Sequence, residues 1–196
     1  MKNLNYLLIG FIFLYAGCTN NNQDEPANFA YLNINETYNI QNSNGKTYDI
    51  NNDGIVDWGF SFSDANSAQT LGLFVGFYNY SVAYENVYDP INNKCIGRKI
   101  LPYGYTIQST NLHGSTCDNG DIFRTDLNPS YPNDTVNTYI PGSGDFYIGF
   151  KSWNPQFTNV NFGWARLNVS ADGKTLIVKD MALNKVNGGS INVGQQ

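Results

Sequence analysis

Two runs of the chain alternate residue by residue between core-type side chains and a second set. Phe146, Ile148 and Phe150 alternate with Tyr147, Gly149 and Lys151, and Ala165, Leu167 and Val169 alternate with Trp164, Arg166 and Asn168. A period of two sends successive side chains to opposite faces of a strand. No long window repeats apolar residues at helical spacing. The pattern predicts strands over 29–34, 46–50, 55–62, 71–80, 82–88, 99–101, 105–109, 146–152, 162–169 and 175–182. The stretch 170–174, Ser-Ala-Asp-Gly-Lys, separates two such runs and reads as a hairpin turn, with Gly173 supplying positive φ. Many short strands punctuated by turns predict an all-β chain, an antiparallel β-sandwich of jelly-roll-like type, as a single domain over 29–196.

The N-terminus departs from this pattern. Lys2 precedes an apolar run from Tyr6 to Tyr15, then small residues and Cys18. The run is shorter than the about 20 apolar residues of a membrane-spanning helix and matches a secretory leader. Tyr15-Ala16-Gly17-Cys18 resembles a bacterial lipobox, with Tyr15 where Leu is usual. The resemblance implies a signal peptide over 1–17 and acylation of Cys18, palmitate included. Several acyl chains anchor stably where one does not. Residues 18–28 are polar, contain Pro26 and lack periodicity, which predicts a disordered tether. Thr19 after the Cys implies the outer membrane by analogy with lipoprotein sorting. Asp24 and Glu25 resemble the acidic export signals of surface-displayed lipoproteins.

Charge narrows the partners. The full chain carries −5, and Lys2 is the leader's only charge, so the remainder carries about −6. An acidic surface without a Lys/Arg cluster argues against nucleic acid. Aromatic residues are 15% of the chain against 14% charged, and 14 are Tyr. Tyr and Trp suit contact surfaces for sugar rings, and they equally suit plain sheet faces. Cys95 and Cys117 remain after the leader, and in an oxidising compartment an even pair predicts a disulfide.

The densest chemistry lies at 49–57, Asp-Ile-Asn-Asn-Asp-Gly-Ile-Val-Asp. Oxygen-bearing side chains occupy positions 1, 3, 5 and 9, with Gly54 at position 6. Hard cations such as Ca²⁺ take about six to eight oxygens, and alternate residues of a tight loop can supply them. The same residues also suit an Asx-turn loop that caps its own backbone. The loop and the following Trp58-Gly-Phe-Ser-Phe62 resemble the calcium-binding hairpins of integrin-type FG-GAP repeats, and the spacing is shared by dockerin and thrombospondin type 3 loops. That resemblance implies calcium ligation by Asp49, Asn51, Asp53 and Asp57 and by the carbonyl of Ile55, in a structural role. Phe60 stands where an EF-hand would have Glu, which favours strand–loop–strand over helix–loop–helix. More widely, this loop together with 146–151, 162–169 and 175–182 resembles exported bacterial β-sandwich proteins of the PEP-CTERM type, which implies fold and location.

Catalytic signatures are sparse. His113 is the single His, in a loop-like stretch with Ser115, and no nucleophile elbow accompanies it. Glu85 is the one Glu inside a predicted strand; Asp134-Thr135-Val136 resembles an O-glycosylation acceptor. This inventory favours a cell-envelope-anchored, calcium-stabilised binding or structural module over an enzyme, with carbohydrate or an envelope protein as ligand. The alternative is a small secreted hydrolase with a sandwich fold.

Overall fold

The computed structural model describes residues 28–39, 45–64, 71–74, 81–83, 86–89, 94–109, 121–124 and 140–196. These residues form strands and no α-helix, and every strand pairing is antiparallel. The strands are β1 (Phe29–Asn39), β2 (Lys46–Tyr48), β3 (Trp58–Asp64), β4 (Leu71–Phe74), β5 (Ser81–Ala83), β6 (Asn86–Asp89) and β7 (Lys94–Arg98). After them come β8 (Thr106–Ile107), β9 (Asp121–Arg124), β10 (Asp145–Trp153), β11 (Val160–Val169), β12 (Thr175–Asn184) and β13 (Ile191–Asn192). The all-β expectation holds.

A five-stranded sheet runs in the order β1-β12-β11-β10-β5, and a four-stranded sheet in the order β2-β3-β4-β9. Two-stranded pairs β13-β8 and β6-β7 complete the set. β10, β11 and β12 form a meander because short loops join strongly alternating runs. Gly173 takes φ 70 in the β11–β12 turn, as its position predicts. Elsewhere the boundaries moved. The expected strand 82–88 divides into β5 and β6, which pair in different sheets. The expected strand 99–101 is a single bridge between Leu101 and Tyr147. β7, β9 and β13 carry too little alternation to be read from sequence and exist through their partners.

One face of the large sheet packs against β2 and β3. Ala30, Phe146, Ile148, Phe150, Leu167, Val169, Leu176, Val178, Met181 and Leu183 share a buried cluster there with Tyr48, Ile50, Trp58 and Phe60. Trp58 lies 6.2 Å from Phe150 and 5.9 Å from Phe60, ring centre to ring centre. Each such side chain contributes about 1.5–3 kcal/mol on burial, against about 1 kcal/mol for a typical hydrogen bond. This seam therefore joins the sheets more strongly than any polar tie between them. It needs Gly163, Cα partner of Phe150 on β11, to be bare, because a Cβ there would sit 2.2 Å from the Phe150 ring.

The opposite face is covered as well. Leu101, Ile107, Ile191 and Val193 cover Phe162, Trp164 and Ala182. The β8–β13 pair and the segment leading into it form this cover. Both faces of the large sheet are thus buried near Asn28, where Lys185 N donates to Asn28 O at 2.7 Å. Trp153, Val160 and Asn184 lie at this near end, and Asp145, Val169 and Thr175 at the far one.

Candidate functional site

The loop 49–57 connects β2 to β3, a strand–loop–strand. Asn52 (φ 59) and Gly54 (φ 85) are left-handed, and these two reversals curl the backbone. Asp53 N donates to Asp49 Oδ1 at 3.1 Å and to Asn51 Oδ1 at 3.0 Å. Two side-chain oxygens therefore meet at one amide. Gly54 N donates to Asp49 Oδ2 at 2.7 Å, Ile55 N to Asp53 Oδ1 at 2.8 Å, and Asn51 Nδ2 to Asp53 Oδ2 at 2.9 Å. Asp49, Asn51 and Asp53 are gathered on the inside of the curl by Asx-turn hydrogen bonds.

Asp57 behaves differently. Only 3% of it is exposed. Its Oδ2 accepts from Ile50 N at 2.8 Å and Asn51 N at 3.4 Å, and its Oδ1 from Ser152 Oγ of β10 at 3.2 Å. The carboxylate closes the base of the loop and ties it to the large sheet. Burial pushes its pKa up to about 6; the nearby Asp53 charge adds to this, and the donated hydrogen bonds oppose it.

The donor set suits a hard cation. Asp49, Asn51 and Asp53 present side-chain oxygens that keep a second lone pair after their Asx bonds. Among the described residues, no three His, Cys, Asp or Glu side chains gather into a ligand cluster. The reason lies in the loop itself: Asn51 is an amide, and the Asp57 carboxylate is turned toward the amides of residues 50 and 51.

A second constellation lies on the other face of the large sheet. The register of β12 shifts against β1 between Asn33 and Glu36, and against β11 between Arg166 and Leu167. Both bulges flank Asp180, and bulges re-aim side chains. Arg166 Nε donates to Asp180 Oδ1 at 2.9 Å, its second terminal nitrogen pairs with Asp180 Oδ2, and Tyr31 OH donates to Oδ2 at 2.9 Å. Burial and the Asp180 hydrogen bond raise the Tyr31 pKa to about 12. Asp145 lies beside Arg166 at 3.9 Å and accepts from Lys179 Nζ and Asn168 Nδ2, each at 2.9 Å. Burial pushes its pKa up, but these bonds and the two cations outweigh that and hold it below the ordinary carboxylate range.

Aromatic rings border this ionic row. Tyr147, Cα partner of Arg166, meets Trp164 edge-on at 5.7 Å and Tyr103 edge-on at 6.1 Å. Tyr103 is 73% exposed. Its ring nevertheless rests on the backbone of Gly194, where an added Cβ would lie 2.2 Å from it. Gly194 has φ 84, and Gly104 N donates to Val193 O at 2.9 Å, so the two segments hold each other. The result is an outward aromatic plane at a set position, joined through the Tyr147 ring to the strand that carries Asp145.

From the sequence, Arg166 and Asp180 are only residues of strands 162–169 and 175–182. The available signal is Arg166 within β11 and the Lys179–Asp180 pair within β12, charges inside largely apolar strands. Their meeting depends on register and on the bulges, which no spacing along the chain records. Cys18, Glu85, His113, Ser115, Cys117 and 134–136 lie outside the described residues, and so do residues 19–27 of the tether. Cys95 lies in β7, opposite Tyr88, with its backbone alone described; the disulfide therefore also falls outside. No family model, characterised protein or solved structure matches the chain.

Proposed function

We propose that this chain is a cell-envelope lipoprotein, anchored in the outer membrane through acylated Cys18, whose all-β domain is a calcium-stabilised binding module for carbohydrate. The sandwich reading belongs to the same proposal and rests on two sheets sharing the Trp58–Phe150 seam. A Cys95–Cys117 bridge belongs to it as well. The observation that carries the ligand class is Tyr103, an aromatic ring 73% exposed yet held by Gly194 and Tyr147. A fixed aromatic plane stacks on a sugar ring with little ordering penalty, and the Arg166–Asp145–Lys179 row, which begins at Tyr147's partner Arg166, carries donors and acceptors for hydroxyls.

The hydrolase alternative needs one carboxyl with a raised pKa facing another across a cleft. Asp57 has a raised pKa but is buried at the loop base. Asp145 is held ionised, and Asp180 is engaged by Arg166 and Tyr31. These placements favour binding.

Affinity electrophoresis of the full chain through gels containing laminarin, xylan, pullulan or mannan tests the reading. Retardation by at least one polysaccharide is expected, and Tyr103→Ala should weaken it about tenfold, about 1.4 kcal/mol. Gly194→Ala should weaken it too, by displacing the Tyr103 ring without removing it. Release of reducing ends would favour the hydrolase; no retardation by any glycan would leave a protein ligand. The anchor has its own test. Mass spectrometry of the mature N-terminus should find acylated Cys18, and Cys18→Ser should leave the chain unprocessed or free of membranes. An unmodified N-terminus at another residue would remove the anchor from the proposal.

A further inference from the structure

The β10–β11 loop displays an aromatic side chain at a conformational cost. Phe157 takes φ 55, a left-handed conformation that costs a bulky residue about 1–2 kcal/mol. Asn154 stabilises the loop: its Oδ1 accepts from Thr158 N at 2.9 Å and Asn159 N at 3.0 Å, and its Nδ2 donates to Thr158 Oγ1 at 2.8 Å. The outcome is Phe157 65% exposed, with Val186 44% exposed in the neighbouring β12–β13 loop. Those loops are joined, since Val160 N donates to Asn187 Oδ1 at 2.9 Å and Gly188 N to Val160 O at 2.8 Å. Half-buried Trp153 lies at the same end of the sheet, paired with Val160, with Lys151 Nζ 5.2 Å above its ring. Strained backbone that presents a side chain points toward function.

This patch is at the near end of the large sheet, where the chain arrives at Asn28. Nine residues separate Cys18 from Asn28, and the ten steps between the two span at most about 35 Å. β11 runs from Val160 at the near end to Val169 at the far end, about 30 Å at strand rise. A far end brought to the anchoring surface would use nearly the whole reach of the tether. The near end reaches the same surface with the tether slack.

We infer that the near end of the domain seats on the phospholipid surface in which the chain is anchored, with Phe157 inserted at the headgroup–acyl boundary and Trp153 beside it. Aromatic rings and lysine stems are the side chains that such a boundary favours. The inference rests on the Cys18 anchor. The acidic loop 49–57 shares this end through the Asp57–Ser152 contact, and its charge opposes anionic lipid, so zwitterionic lipid is the probe.

The test uses the full lipidated chain in phosphatidylcholine vesicles, with and without brominated acyl chains. A Phe157→Trp chain should lose at least about half of its added fluorescence to the bromines. An Ile140→Trp chain reports from the far end, where Ser143 N donates to Ile140 O and Gly142 N to Val169 O; its added fluorescence should be unchanged. A Gln156→Trp chain provides a second reporter in the same loop, in case Phe157→Trp folds poorly. Equal quenching at residues 140, 156 and 157, or none at 156 and 157, overturns the inference while the chain still floats with the vesicles. A chain that does not float overturns the anchor and this orientation with it.

Discussion

Gly163→Ala should destabilise the domain by about 3 kcal/mol or more, lowering the melting temperature by roughly 6–12 °C. Gly163 sits in β11 at the middle of the large sheet, with Phe150 on one side and Leu183 on the other. An added Cβ would lie 2.2 Å and 2.5 Å from two carbons of the Phe150 ring and 2.6 Å from the carbonyl oxygen of Ala182. The ring is 1% exposed and packs on Trp58, so it has nowhere to rotate. The carbonyl is part of the β11–β12 ladder and cannot move without breaking it. Gly188→Ala is the control. That glycine has φ 68 but nothing within 4 Å of the added atom, so it should show backbone strain alone, about 1 kcal/mol. Phe150→Leu in the Gly163→Ala background should restore part of the loss, because it relieves the ring contact and leaves the carbonyl contact. Thermal melts followed by near-ultraviolet dichroism measure all of these. Equal melting temperatures for Gly163→Ala and Gly188→Ala would show that the seam repacks freely.

In chelator, stability should fall as pH rises from about 4 to about 7. The Asp57 carboxyl titrates at about 6 in the folded chain, against an ordinary 3.8, because burial penalises its charge more than its hydrogen bonds help. The folded state therefore keeps a proton that the unfolded chain has released. The associated stability is fully present below 3.8 and is lost as pH passes 6, a difference of about 3 kcal/mol for a shift of this size. Asp57→Asn keeps an oxygen for the amides of Ile50 and Asn51 and offers an NH₂ to Ser152, so its melts should be nearly flat over the same window. On the calcium proposal, an ion held by Asp49, Asn51, Asp53 and the Ile55 carbonyl would act in the opposite direction and stabilise the ionised loop, by about 2.7 kcal/mol at 100 times its dissociation constant. Melts at pH 7.5 with calcium and with chelator should differ by that amount, and Asp53→Ala should abolish the difference. Identical melts in both would leave 49–57 as an Asx-turn loop only.

The acidic loop was legible because its information is local. Nine consecutive residues contain both the turn-forming glycine and the side chains that bond to their own backbone, so Asp49, Asn51, Asp53 and Gly54 take their places without help from the rest of the chain. Asp57 was legible as a carboxylate at the right spacing, but its use was not. Ser152, 95 residues away, and the burial beneath β10 decide that it closes the loop from inside.

The all-β class, the long strands of the meander and the two turns built on Gly54 and Gly173 follow from local sequence, because period-two alternation and glycine's access to positive φ act over a few residues. Tertiary structure alone decided which strands are neighbours, that both faces of the large sheet are covered near Asn28, and that Arg166, Asp180 and Tyr31 converge while Tyr103 stands exposed on Gly194. These depend on register and on bulges. A one-residue shift reverses which face a side chain occupies, and the free energy that sets it comes from burying Trp58, Phe150 and Trp164 against partners far away in the chain. Short strands such as β7, β9 and β13 have too few side chains to prefer the extended state alone, so they exist where a neighbouring strand satisfies their backbone.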